Sequence, residues 1–152
     1  LRPGRRLGID VGDVRIGVAA SDPEGLIASP LETVPAKGDP IARILAIAGE
    51  YEPIECVVGL PIGLSGQEGA AAAKARAFAG RLIAALPGVS IRLVDERMST
   101  VTAASQLRAS GRTAKTSRSI IDQAAATVIL QTALDAERTR GTAPGELIEG
   151  TT

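Results

Sequence analysis

Histidine is absent from the 152-residue chain. With it go the Ser-His-Asp triad, the Cys-His dyad, the imidazole base and the histidine-bound zinc site. Any catalysis must then rest on carboxylates, amines and metal-bound water. Tryptophan is absent as well, and Tyr51 and Phe78 are the only aromatics, so the core must be aliphatic and base stacking on aromatic platforms is nearly excluded. Cys56 stands alone, which excludes an intramolecular disulfide framework and a cysteine-based zinc site. Beside Val57 and Val58 it reads as a buried filler of a strand. No apolar run approaches a membrane span and no signal-peptide pattern is evident, so the expectation is a soluble cytoplasmic protein with no membrane partner. The chain opens on Leu1 without Met, as expected if upstream residues have been trimmed. A globally basic coat is missing too: 17 Lys and Arg balance 17 Asp and Glu, so any nucleic-acid surface has to be local.

What remains suits one domain, in which roughly 70% of the unfolded chain's surface can be buried. Residues 7–11 and 15–21 read as strands joined by a tight Gly12-Asp13-Val14 turn, and Asp22-Pro23-Glu24-Gly25 leads into a third strand over residues 26–34. The period then changes. Asp39 caps a helix with Pro40 at its first position, and Ile41, Ile44, Leu45 and Ala48 fall at helical spacing. Residues 54–60 form an apolar strand, and Ser65 with Glu68 makes a capping-box pattern before an alanine-rich helix reaching about Leu86. Residues 90–94 give a fifth strand. A helix from Ser99 or Thr100 to about Ala109 and a last one over residues 119–137 follow. The order predicts an α/β fold, a five-stranded mixed sheet with its first three strands antiparallel and its last two parallel, flanked by helices. Residues 1–137 make the single domain, and residues 138–152, rich in Gly, Thr and Pro, read as a flexible C-terminal tail.

In such sheets ligands collect beyond the carboxyl ends of the parallel strands. Asp95-Glu96, in VDERMST, falls there. Asp10 interrupts the apolar strand of GIDVGDVRIGVAASD and is bracketed by Gly8 and Gly12. Asp122, in SIIDQAAATVILQ, lies about 100° from Ile121 on a helical wheel, at the flank of a stripe formed by Ile121, Ala124, Ala125 and Val128. Three oxygen donors without histidine or thiolate suit Mg²⁺ or Mn²⁺. Plainer alternatives stand beside each. Asp10 can serve the turn at Gly12, Glu96 can pair Arg97 or Arg92, and Asp122 can close a capping box with Ser119. The glycines beside Asp10 mark either clearance for a ligand or ordinary sheet packing. Between residues 97 and 121 lie Arg97, Arg108, Arg112, Lys115 and Arg118 with no acid among them. The segment is either a solvated connection or a cationic loop for a phosphate backbone, and Arg5 and Arg6 are expected to add to the latter.

GIDVGDVRIGVAASD, VVGLPIGLSGQEG, VDERMST and IDQAAATVILQ, in that order and spacing, strongly resemble the YqgF family, also called RuvX-like. These are RNase H-fold proteins described as Holliday junction resolvases and pre-16S rRNA nucleases. The resemblance covers approximately residues 6–135. It implies that Asp10, Glu96 and Asp122 are the metal-binding catalytic carboxylates, and that the partner is nucleic acid, precursor rRNA or branched DNA. Strand alternation does not separate Asp95 from Glu96; the family's DER motif favours Glu96. One departure is Ser65-Gly66, where the family often carries an acidic residue before the glycine. The expected activity is metal-dependent phosphodiester hydrolysis. Junction resolution would need two symmetric cuts and hence a homodimer, which end-trimming of rRNA does not. Two other readings compete: a non-catalytic RNA- or DNA-binding module of ribosome maturation or transcription, and a fragment of an actin-like phosphate-binding ATPase. The second is disfavoured because that fold needs two such subdomains.

Overall fold

The computed structural model describes residues 1–63, 65–96 and 114–149, the side chains of 114–120 excepted. Three strands open the fold: β1 (Arg6–Val11), β2 (Arg15–Ser21) and β3 (Ala28–Pro35). Helix α1 (Pro40–Tyr51) follows, then β4 (Glu55–Leu60), α2 (Ala70–Ala85), β5 (Ser90–Asp95), the long helix α3 (Ala114–Arg140) and a short β6 (Glu146–Ile148). The sheet runs β3-β2-β1-β4-β5-β6. β1, β2 and β3 pair antiparallel, while β1, β4 and β5 run parallel. The mixed α/β architecture expected from the element order is present.

The strand count is a correction: six among the described residues, not five. β6 adds antiparallel to the outer edge of β5, with Ile148 opposite Ile91 and Glu146 opposite Leu93. Three residues are too few to show a period, so sequence patterning cannot reveal this strand. Arg76 of α2 holds it, donating to Glu146 at 2.9 and 3.0 Å while also bonding Glu68. The segment from residue 138 onward thus contains the last residues of α3 and all of β6. Glu68, expected in a capping box, is engaged by Arg76 instead, and α2 starts at Ala70 behind Gly69 with no side-chain cap. Asp39 does cap α1, accepting from the Ala42 N–H at 3.1 Å, with Pro40 in the first turn.

Strand alternation divides the sheet into two unlike faces. One carries Leu7, Ile9, Ile16, Val18, Cys56, Val58, Ile91 and Leu93, packed against Ile44 and Ile47 of α1 and Phe78 and Leu82 of α2. Cys56 is fully enclosed there and burial pushes its thiol up to about 12, as befits an inert filler. The other face is covered by α3. It offers Ala19, Val57 and Val94 to Ala126, Ile129, Leu130, Ala133 and Leu134, and its remaining positions include glycines. A Cβ on Gly8 would lie 2.7 Å from the Ala126 carbonyl oxygen and 2.7 Å from Leu130 Cβ, and one on Gly17 would collide still harder with the Asp122 carbonyl. These glycines let a helix lie almost on the sheet backbone. Gly8 is therefore a packing position, and Gly12 closes the hairpin, its N–H bonding the Arg15 carbonyl at 3.0 Å.

The far end of α3 is tied down electrostatically. Glu137 accepts from Arg6 Nη2 at 3.0 Å and from Arg2 Nη2 at 2.7 Å, and Glu55 joins Arg2 to Arg92. Arg6 is 1% exposed and Glu137 4%. Arg5 sits over the Tyr51 ring, 5.5 Å from its centre. Arg6 adds to no cationic surface, contrary to expectation: it lies at the opposite end of β1 from Asp10 and is consumed internally. The bonds from Arg2 hold the Glu137 carboxyl down at about 2. Its contribution to stability is complete above the ordinary carboxylate range and is lost as pH falls through about 2. Glu137→Gln leaves Arg6 buried without its counter-charge and should cost about 3–5 kcal/mol near neutral pH by urea denaturation. That loss should shrink as the pH falls toward 2.

Candidate active site

Asp10 is the next-to-last residue of β1, on the face covered by α3. Its cross-strand partner is Gly17, and it is over Gly17 that the Asp122 carbonyl rests. Strand register and helix packing thus fix Asp122 one strand away from Asp10. The buried stripe of α3 runs Ala125, Ala126, Ile129, Leu130, Ala133, Leu134 and Glu137, so the expected stripe of Ile121, Ala124, Ala125 and Val128 is rotated by about one residue. Asp122 is at the head of the true stripe, not its flank, because Ala126, Ile129 and Ala133 follow it at spacings of three and four. α3 also begins at Ala114. Ser119 is therefore inside the helix, and Asp122 is not the third residue of a capping box.

Glu96 directly follows β5. Along that strand Ile91 and Leu93 belong to the core under α1 and α2, whereas Val94 packs under α3. Continuing the alternation sends Asp95 toward the α2 side and Glu96 toward α3. Structure therefore separates two carboxylates that sequence alternation left together. Glu96 folds back over β4, where a Cβ on Gly59 would lie 3.4 Å from its Cγ and Cδ.

The consequence is visible at Asp10. Its carboxyl is pushed up to about 8, first by burial, then by the negative charge of Glu96 and a hydrogen bond with it, and then by the charge of Asp122. Like-charged groups brought together out of water retain protons. Asp122 has a different partner: Arg15 Nε donates to its Oδ2 at 2.8 Å. Among the described residues no three Asp, Glu, Cys or His side chains stand in a ready-made metal cage. The Asp122 carboxylate is turned to Arg15, while Asp10 and Glu96 engage one another. At the hairpin tip, Lys74 of α2 bonds Asp13, so the β1–β2 turn is tethered to the α2 layer on one side and to α3 on the other.

Arg97, Arg108 and Arg112, and the helix expected from residue 99 or 100, lie outside the described residues; Lys115 and Arg118 lie within α3, but their side chains are not described. Sequence reasoning missed Arg15 and Gly17. The pattern Arg15, Gly17, Ala19 puts one cation and two small residues on a single strand face, a signal that a helix with an acidic group lies close.

Residues 4–136 match the family model described as RuvX: Holliday junction resolvase. The chain belongs to this family. A Streptomyces avermitilis protein named "Putative pre-16S rRNA nuclease" is 57% identical over 151 residues, covering 98% of this chain and 97% of the relative. A Nocardioides sp. protein of the same name is 59% identical over 157 residues, covering 99% and 100%. Among solved structures, Thermus thermophilus RuvC in complex with a Holliday junction substrate aligns with a TM-score of 0.60 at 20% identity, over 95% of this chain and 99% of that one. At that identity the likeness concerns the fold, which is RuvC-like, in the RNase H-like class.

The electrostatics of this RuvX-family site can be read directly from carboxyl carbon-13 NMR of the metal-free protein. Asp10 should titrate near 8. Glu96→Gln should lower that value more than Asp122→Asn, and neither should restore the ordinary carboxylate range, because burial is the largest cause. An Asp10 signal that titrates normally, or ignores both substitutions, contradicts the geometry.

Proposed function

We propose that this protein is a divalent-metal-dependent endonuclease that hydrolyses phosphodiester bonds in structured nucleic acid, with Asp10, Glu96 and Asp122 as its metal-binding catalytic residues. The observation that carries the reading is the grouping at the carboxyl edge of parallel strands, where Asp10 is hydrogen-bonded to Glu96 and feels the charge of Asp122, in a member of a nuclease family. The donor set fits a hard cation. It offers only oxygen, and the negative charge of Glu96 and Asp122, which adds to burial in raising Asp10, is charge that Mg²⁺ or Mn²⁺ would neutralise. Asp10, Glu96 and Asp122 would hold such an ion, whose chemistry would be to ease loss of a proton from water and to offset charge on the leaving 3′ oxygen.

The protein's own residues orient and exclude. Asp10, rigid in a central strand, and Asp122, fixed by the contact of α3 with Gly17, define where the scissile phosphate must lie. Glu96 comes from a strand end and has more freedom to adjust. Arg97, Arg108, Arg112, Lys115 and Arg118 are assigned to the phosphate backbone. With Tyr51 beneath Arg5 and Phe78 buried, recognition is by shape, not base stacking. That suits a precursor of 16S rRNA or a branched DNA, the substrates named for the relatives and the family, and hence the cytoplasm of a bacterial cell. Among the described residues no helix is long and apolar enough to cross a membrane. A junction-cleaving role would require two copies acting together.

A cleavage panel of four-way junctions, flaps, single strands and precursor rRNA, with Mg²⁺ or Mn²⁺, tests the proposal. Asp10→Asn should cut at least about a hundredfold more slowly than wild type, the upper range for disturbing a group merely behind a metal ligand, while still binding substrate. Undiminished cleavage by a contaminant-free Asp10→Asn preparation would overturn it. Binding without cleavage by the wild type would mark a non-catalytic module.

A further inference from the structure

Arg15 opens β2 on the face covered by α3, two residues before Gly17. Its Nε–H donates to Asp122 Oδ2 at 2.8 Å, with the Arg15 side chain 34% exposed and that of Asp122 21%. A guanidinium does not lose its proton at any relevant pH, so this charge-assisted bond cannot be switched off by deprotonation. Nor can α3 carry Asp122 away, because the Asp122 carbonyl is seated on Gly17. Whether that carboxylate faces Asp10 or Arg15 is therefore decided by rotation of the side chain alone.

We propose that Arg15 is a latch on the third metal ligand. In the free protein it holds the Asp122 carboxylate, yields it when a divalent ion binds, and turns its guanidinium to a phosphate of the nucleic-acid backbone at the same sheet edge. The inference rests on the assignment of Asp10, Glu96 and Asp122 as ligands, and gives Arg15 a positioning role within it. The planar fork of arginine suits both occupants, carboxylate and phosphate. A phosphate that takes Arg15 releases Asp122 for the ion, and an ion that takes Asp122 releases Arg15 for the phosphate. Metal and nucleic acid then strengthen each other's binding by the same factor.

Mn²⁺ binding to the full chain without nucleic acid, followed by calorimetry, separates the outcomes. Arg15→Gln should bind Mn²⁺ about two- to fivefold more tightly than wild type, the range for releasing a part-exposed ion pair. In an Asp122→Asn background that gain should vanish. Unchanged affinity in Arg15→Gln overturns the latch, and so does a gain that persists beside Asp122→Asn, since Arg15 would then act only by repelling the cation. Wild type that binds no Mn²⁺, or binds it equally well as Asp10→Asn, overturns the ligand assignment and the latch with it. A variant-free measurement covers any failure to fold: the Arg15 Nε–H resonance of the wild type should shift at saturating Mg²⁺, and a resonance that stays in place overturns the proposal.

Discussion

The site depends on how closely α3 approaches the sheet. Gly8 and Gly17 remove the Cβ atoms that would hold α3 off the sheet, and the Ala126 and Asp122 carbonyls settle onto strand backbone. Because Gly17 is the cross-strand partner of Asp10, this contact sets the separation of two carboxylates that are more than 100 residues apart in sequence. Gly59 serves the same approach, because a Cβ there would lie 2.6 Å from Ile129 Cδ1 of α3, while Glu96 rests beside it at ordinary contact distance. α3 lies this close because three strand positions have no side chain.

Charge is handled differently at the two ends of α3. At one end Glu137 is buried among arginines, its carboxylate held ionised by Arg2 and Arg6. That network fixes where the helix lies along the sheet. At the other end Asp10 is raised by burial and by its acidic neighbours, and Asp122 bonds Arg15. Acids held together out of water cost stability, and under the proposed function a bound cation would offset that cost.

Much of this was legible in the sequence. β2 has the bounds that hydrophobic alternation gave it, Asp39 caps α1, and the antiparallel-then-parallel order of the sheet follows from a hairpin half and a crossover half. Asp10 stood out because a carboxylate interrupts an apolar strand, and the four motifs placed it with Glu96 and Asp122. Other features depend on contacts that no local pattern reports. β6 is stabilised by the edge of β5 and by Arg76, not by its own propensity. Asp95 and Glu96 part only once the phase of β5 is known from which residues enter each core. The stripe of α3 was read one residue out of phase because alanines occupy both its faces, so hydrophobicity alone does not orient that helix. Arg6 looked like part of a basic surface and is an internal counter-ion.

Anomalous diffraction from crystals soaked in Mn²⁺ tests the central claim most directly, that packing of α3 on Gly17 delivers Asp122 to the same ion-binding place as Asp10 and Glu96. One peak or a close pair is expected within coordination distance of carboxylate oxygens from all three residues, with α3 unmoved over Gly17 and Asp122 rotated away from Arg15. A peak at Asp10 and Glu96 with Asp122 still bonded to Arg15, or Mn²⁺ bound only elsewhere on the protein, would contradict it.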